Sequence, residues 1–177
     1  GLTQGMVEWV VGHTLRHHLG MDAHIVNPDC EWAAKAPPIV ADRPVGLLGL
    51  GALGTACGQA LSDLGFPVSG WARTPKSIDG ITAYHGKDGL QSVLETSQIL
   101  ILLLPSTPET ENTINAETLA LMPKGAILIN PGRGTLIEDA ALLAALDNGR
   151  IGHATLDVFR TEPLPADDPY WTHPNVT

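Results

Sequence analysis

Val45-Gly46-Leu47-Leu48-Gly49-Leu50-Gly51-Ala52-Leu53-Gly54 decides the fold. A short apolar run leads into a glycine-rich turn, and the turn leads into a stretch of helical pattern. In that setting each glycine of G-x-G-x-x-G has its own task. Gly49 permits a tight turn, Gly51 lets backbone approach a pyrophosphate, and Gly54 lets the new helix pack closely on the strand. Ala52 and Leu53 open the helix, whose free N–H groups and positive dipole end suit phosphate. Glycine is 19 of 177 residues, so the hexapeptide alone says little. The strand before it and the helix after it carry the reading.

Outward from this turn, strands and helices alternate. Strands are expected at residues 45–48, 68–72, 99–104, 126–130 and 153–157, with helices at 53–64, 87–96, 114–122 and 138–148. Unbroken apolar strands separated by helices imply an α/β fold, a Rossmann-type doubly wound parallel sheet with helices on both faces. Upstream, Met6, Trp9, Val10, His13 and His17 recur at helical spacing up to Gly20. Residues 21–44 show no period and contain Pro28, Pro37, Pro38 and Pro44. The expected division is a leading helix and extended arm over residues 1–44, then a dinucleotide-binding domain over 45–177.

Composition excludes several classes. A net charge of −9 with only ten scattered Lys and Arg residues argues against nucleic acid as a partner. No apolar run approaches the roughly 18 residues of a membrane span. Gly1-Leu2-Thr3-Gln4 has no basic leader pattern, and two lone cysteines, Cys30 and Cys57, suit a reducing, cytoplasmic setting. His13, His17 and His18 have no ligand cluster around them, so no metal site is expected.

The chemistry sits where strands end. After residues 68–72 come Arg73, Thr74 and Lys76, at the position where an NAD-binding protein usually places a carboxylate for the ribose 2′-hydroxyl. A guanidinium fork suits a 2′-phosphate instead, which favours NADP with NAD still possible; the competing reading is a solvated basic loop. After the third apolar run, Leu104 and Pro105 would wall a cofactor cleft, with Thr107 and Thr110 offering hydroxyls. A proline-set strand exit explains the same residues without a ligand. Next comes Asn130-Pro131-Gly132-Arg133-Gly134. Glycines on both sides let Arg133 project from the strand end, and its fork suits a substrate carboxylate. Asp157 ends the last strand on the same edge, and Glu162 follows in a proline-held loop.

Together these segments resemble the D-isomer-specific 2-hydroxyacid dehydrogenase family. The likeness rests on the turn of Gly49, Gly51 and Gly54, Leu104-Pro105-Ser106-Thr107, Asn130-Pro131-Gly132-Arg133-Gly134, Leu156-Asp157-Val158-Phe159 and Glu162-Pro163-Leu164-Pro165. Trp71-Ala72-Arg73-Thr74-Pro75-Lys76 is similar to the branch that reduces glyoxylate and hydroxypyruvate with NADPH. The resemblance implies that Arg133 binds the carboxylate of a small 2-oxo acid and polarises its carbonyl. It implies that Glu162 orients a catalytic histidine, that Asp157 faces the nicotinamide, and that Pro131 and Gly132 line the cleft. Met6-Val7-Glu8-Trp9 resembles the family helix that helps form a homodimer.

The family's catalytic histidine stands in a Pro-His-x-Ala/Gly segment that these residues do not contain. His173 matches an ordinary family position ahead of it, and His153 reads as packing. A substrate domain of roughly 100 residues is also expected elsewhere. The chain as given is therefore expected to bind a dinucleotide without turning over 2-oxo acids. A short-chain dehydrogenase would need Tyr-x-x-x-Lys, but Tyr84 and Tyr170 are followed at that spacing by Asp88 and Pro174. The remaining alternative is a non-catalytic dinucleotide-sensing or dimerisation module of the same fold.

Overall fold

The central strands form where apolar residues run without interruption, and helices fill stretches between strands. A computed structural model describes residues 1–25, 27–32 and 34–177. Its strands are β1 (Val45–Leu48), β2 (Val68–Ala72), β3 (Thr82–His85), β4 (Ile99–Leu102), β5 (Ala126–Asn130) and β6 (Ile151–Leu156). Its helices are α1 (Leu2–His18), α2 (Asp22–Ile25), α3 (Ala52–Asp63), α4 (Gly86–Thr96), α5 (Ala116–Leu121) and α6 (Asp139–Asp147). The strands make one parallel sheet in the order β3-β2-β1-β4-β5-β6. This is the doubly wound Rossmann arrangement that the alternation implies.

Strand periodicity divides the core in two. Val45, Leu47, Ile99 and Ile101 face Val10 of α1 and Cys57 and Leu61 of α3. Leu48, Leu100, Leu102 and Leu128 face Val93 of α4, Leu119 of α5 and Leu142 of α6. Every residue of β1 and β4 is buried, because both faces of these central strands are covered. Each fully buried Leu or Ile contributes about 1.5–3 kcal/mol. Helix α1 shares the first of these cores, whereas residues 34–39 lie exposed beyond it.

Several boundaries differ from the expected ones, each for a physical reason. β3 has no apolar run: it is an edge strand whose four residues are only half covered or exposed. β4 ends at Leu102 rather than residue 104, because the chain leaves the ladder after the Leu103 N–H bonds the Leu48 carbonyl at 2.7 Å. α5 begins at Ala116, since Ile114 forms a bridge with Ile137 and Asn115 caps the helix with Thr118. β6 begins two residues early, at Ile151, and stops before Asp157.

Where α1 crosses β6, Arg16 forms a two-point ion pair with Asp22, with both contacts at 2.6 Å. Beside it, His17 Nε2 lies 2.7 Å from the Thr155 hydroxyl, and the His17 ring centre is 5.0 Å from that of His153. Burial, then the neighbouring Arg16 charge, pushes the His17 imidazole down to about 3; Asp22 opposes this only in part. Burial lowers His153 and His13 in the same direction. The folded state thus keeps His17 neutral where an unfolded chain, titrating near 6.5, takes up a proton. Stability from this site is whole above pH 6.5 and is lost as pH falls toward 3. Urea midpoints measured from pH 7 to pH 4 should therefore fall, and His17→Gln should flatten the slope. An unchanged slope would place the loss at other groups.

Candidate functional site

β1 and β4 lie side by side, and their following segments depart toward opposite faces of the sheet. The crevice beyond their carboxyl ends is where doubly wound sheets hold ligands. Gly49 turns the chain there at φ +113°, and a Cβ on it would meet the Leu103 carbonyl oxygen at 2.5 Å. A Cβ on Gly54 would overlap the Gly49 carbonyl, so the first turn of α3 can lie directly on the turn below it. Gly51 is different. It caps α3 with an ordinary φ of −74°, and a Cβ on it would meet no protein atom within 4 Å. Packing within the protein does not require glycine there, and the space beside it is open. The first turn of α3 carries no acidic residue, and Ala52 beside Gly51 is exposed. The positive helix end is therefore free to meet an anion.

Around this turn lies a cleft of about 610 Å³. It brings together Gly49, Gly51, Arg73, Thr74, Lys76, Leu104, Pro105, Thr107 and Thr110 of the expected residues. Leu53 and Gly54 stand behind the turn rather than on the cleft wall. The cleft also uses Trp71 and Leu90, which sequence reasoning did not select. The Trp71 indole N–H donates to the Gly86 carbonyl at 2.7 Å, which locks the ring against the start of α4. Thr110 has a role in its own loop. Its hydroxyl donates to the Pro105 carbonyl at 2.6 Å and accepts the Thr107 N–H at 2.9 Å.

The second group of residues lies along the ends of β5 and β6. The Asn130 side chain is wholly buried; it accepts the Gly132 N–H and donates to the Arg133 carbonyl, both at 3.0 Å. These bonds build the turn that presents Arg133. Pro131 and Gly132 are buried beneath it, while Arg133 is exposed and donates from Nη1 to the Gly132 carbonyl at 2.8 Å. Asp157 is joined to this turn through its N–H, which bonds the Asn130 carbonyl at 3.1 Å. The Asp157 side chain is exposed at a separate hollow with Phe159, Leu164, Tyr170 and Trp171. Glu162 accepts the Phe159 N–H at 2.9 Å and so closes its own loop. His173 pairs with Asp147 at 2.8 Å beside α6, and His153 bonds the Thr177 hydroxyl at 3.0 Å. The structure thus places Arg73, Thr74 and Lys76 on the cleft, and Arg133, Asp157 and Glu162 outside its lining, in the segments after β5 and β6. Asn130 entered the sequence reading only as the head of a motif, with no role of its own, and Arg160 carried no functional signal there.

A sequence profile of the D-isomer specific 2-hydroxyacid dehydrogenase NAD-binding domain matches residues 10–177. Glyoxylate/hydroxypyruvate reductase A of Serratia proteamaculans is 40% identical over 178 residues, covering 100% of this chain and 57% of that protein. A D-isomer specific 2-hydroxyacid dehydrogenase from Xanthobacter autotrophicus Py2, solved in complex with NADPH and MES, superposes with a TM-score of 0.94 at 43% identity. That match covers 98% of this chain and 72% of that one. The NADPH-dependent glyoxylate/hydroxypyruvate reductase of Sinorhizobium meliloti, solved with NADP and sulfate, gives 0.93 at 36% identity, covering 99% and 57%. The chain therefore spans 57% of the length of the curated relatives it matches.

The two glycines predict opposite outcomes. Gly51→Ala should cost no more than about 1 kcal/mol, the loss of a better helix cap, yet weaken dinucleotide binding at least about tenfold. Gly54→Ala should destabilise the fold by about 1–3 kcal/mol, because backbone must move. Thermal unfolding and cofactor titration of both variants separate the two effects.

Proposed function

This chain belongs to the D-isomer specific 2-hydroxyacid dehydrogenase family, whose NAD-binding domain it carries, and from that membership we propose that it serves the NADPH-dependent reduction of a small 2-oxo acid of the glyoxylate or hydroxypyruvate type. The observation that carries the NADP reading is the end of β2. Arg73, Thr74 and Lys76 are exposed on the cleft, and residues 71–76 include no carboxylate. The Arg73 guanidinium can grip a 2′-phosphate at two points, with the Lys76 charge and the Thr74 hydroxyl beside it. The bare N-terminus of α3 would take the pyrophosphate. Trp71, Leu90 and Leu104 would wall the remainder of the cofactor.

When bound, a reduced nicotinamide supplies the hydride that reduces a carbonyl. Arg133 would hold the carboxylate of the 2-oxo acid and draw charge onto its carbonyl oxygen as that oxygen becomes an alkoxide. Glu162 would orient and charge a histidine that donates the proton, by favouring the imidazolium form. Asp157 would face the nicotinamide from the end of β6, and Pro131 and Gly132 would support the floor beside it.

NADPH should bind at least about tenfold more tightly than NADH, a difference of about 1.4 kcal/mol. Arg73→Ser should erase most of that margin. Equal affinities in the unaltered protein would defeat the reading.

The protein is also proposed to pair with a second copy in a reducing, cytoplasmic setting. Ile25, Trp32 and Ile39 expose apolar side chains on the arm, and Trp32 is 96% exposed. Trp32→Ser with Ile39→Ser should shift sedimentation from dimer to monomer. A monomeric unaltered protein at high concentration would exclude the pairing.

A further inference from the structure

The residues assigned to substrate chemistry lie in the loops after β5 and β6, and the loop after β4 runs beside them. One side chain joins those loops. Arg160 stands two residues before Glu162, in the loop after β6. Its Nε and Nη2 donate to the Ile137 carbonyl at 3.1 and 2.9 Å, and Nη2 also donates to the Thr135 carbonyl at 3.1 Å. Both carbonyls belong to the turn that follows Arg133. From the loop after β4, Asn112 Oδ1 accepts a bond from Nη2. Glu111 Oε1 accepts from Nη1 at 3.4 Å, and Asp139 at the start of α6 is 3.9 Å from Nε.

Backbone bonds also tie the turn after Arg133 to the loop after β4: the Ile114 N–H bonds the Leu136 carbonyl at 2.9 Å and the Glu138 N–H bonds the Ile114 carbonyl at 2.8 Å. The Asn112 N–H bonds the Thr135 carbonyl at 2.9 Å, and the Ser106 and Thr135 hydroxyls lie 2.8 Å apart. On the inner side, a Cβ on Gly134 would overlap the backbone of Phe159, so the turn rests directly on the loop that carries Arg160. A guanidinium presents five donors in a rigid plane, and charge-assisted bonds are stronger than neutral ones. Lysine has one charged atom on a flexible stem and cannot span the same set of acceptors.

We propose that Arg160 is a positioning residue: it clamps the turn after Arg133 to the loops after β4 and β6, and so sets the direction in which the Arg133 guanidinium meets the substrate carboxylate. This rests on the reading of Arg133 as the carboxylate-binding group. Arg160 itself points into the protein loops and lines neither the cleft beside Gly51 nor the hollow beside Asp157.

The test uses the purified protein saturated with NADPH and titrated with oxalate, a dicarboxylate that mimics the 2-oxo acid head. The Nε–H resonance of Arg133 is followed by NMR. In the unaltered protein that resonance should move with oxalate. Arg160→Ala should weaken oxalate binding at least about fivefold while leaving NADPH affinity within about twofold. In the Arg133→Ala background, Arg160→Ala should add less than about twofold, because the lost effect was exerted through Arg133. Arg160→Lys should recover less than half of the loss, and it decides the matter if the alanine variant no longer binds NADPH. Oxalate affinity that is unchanged in Arg160→Ala, or losses that multiply in the double variant, would overturn the clamp. Oxalate binding that survives Arg133→Ala intact would instead overturn the reading of Arg133, and the clamp with it.

Discussion

Backbone meets backbone at the end of β1 with no room for a side chain between. Gly49 lies against the Leu103 carbonyl, and Gly54 lies against Gly49 itself. This double contact lets β1 pass into α3 through a turn of only three residues. It aims the N-terminus of α3 at the crevice beside β4. The Leu103 N–H bond to the Leu48 carbonyl then fixes where β4 leaves the sheet. The floor, one wall and the anion-facing helix end of the cleft all follow from this approach. A side chain at either glycine would push α3 outward and open the cleft along its length.

The rest of the edge is built by a different means. Beyond β5 a buried amide takes over from missing side chains. Asn130 satisfies one donor and one acceptor of the Arg133 turn from inside the core. A buried amide left without partners costs about 1–3 kcal/mol, so the turn and the amide require each other. Thr110 does the same for the loop after β4, using its hydroxyl on Pro105 and Thr107. Polar side chains that a reader of sequence assigns to ligands are in part the fasteners of the loops that hold the ligand site.

β1 and β4 were legible because each is an apolar run covered on both faces, and β1, β2 and β5 have the bounds expected of them. β3 was illegible because Thr82-Ala83-Tyr84-His85 is a half-covered edge, held by ladder bonds to β2 rather than by burial. On the site, Gly49, Gly51 and Arg73 could be read from local order alone. Trp71 could not, since an aromatic residue in a strand looks like core whichever way its edge faces. Arg160 left no trace because its partners are carbonyls and an amide 23 to 48 residues away in the chain. Local pattern reports contacts along one element, and those bonds exist only once three loops have been brought together by the sheet.

The positive features of the cleft are few and confined: Arg73, Lys76 and the bare end of α3, on a chain whose net charge is −9. A multiply charged anionic cofactor approaching such a molecule meets repulsion from afar and attraction only near the cleft. At physiological ionic strength the Debye length is about 8 Å, so the distant field is largely silenced while the short contacts survive. Capture of the cofactor is thus a short-range event. Dilute buffer, which lengthens the reach of the negative surface, would slow the encounter where it speeds most binding between charged partners.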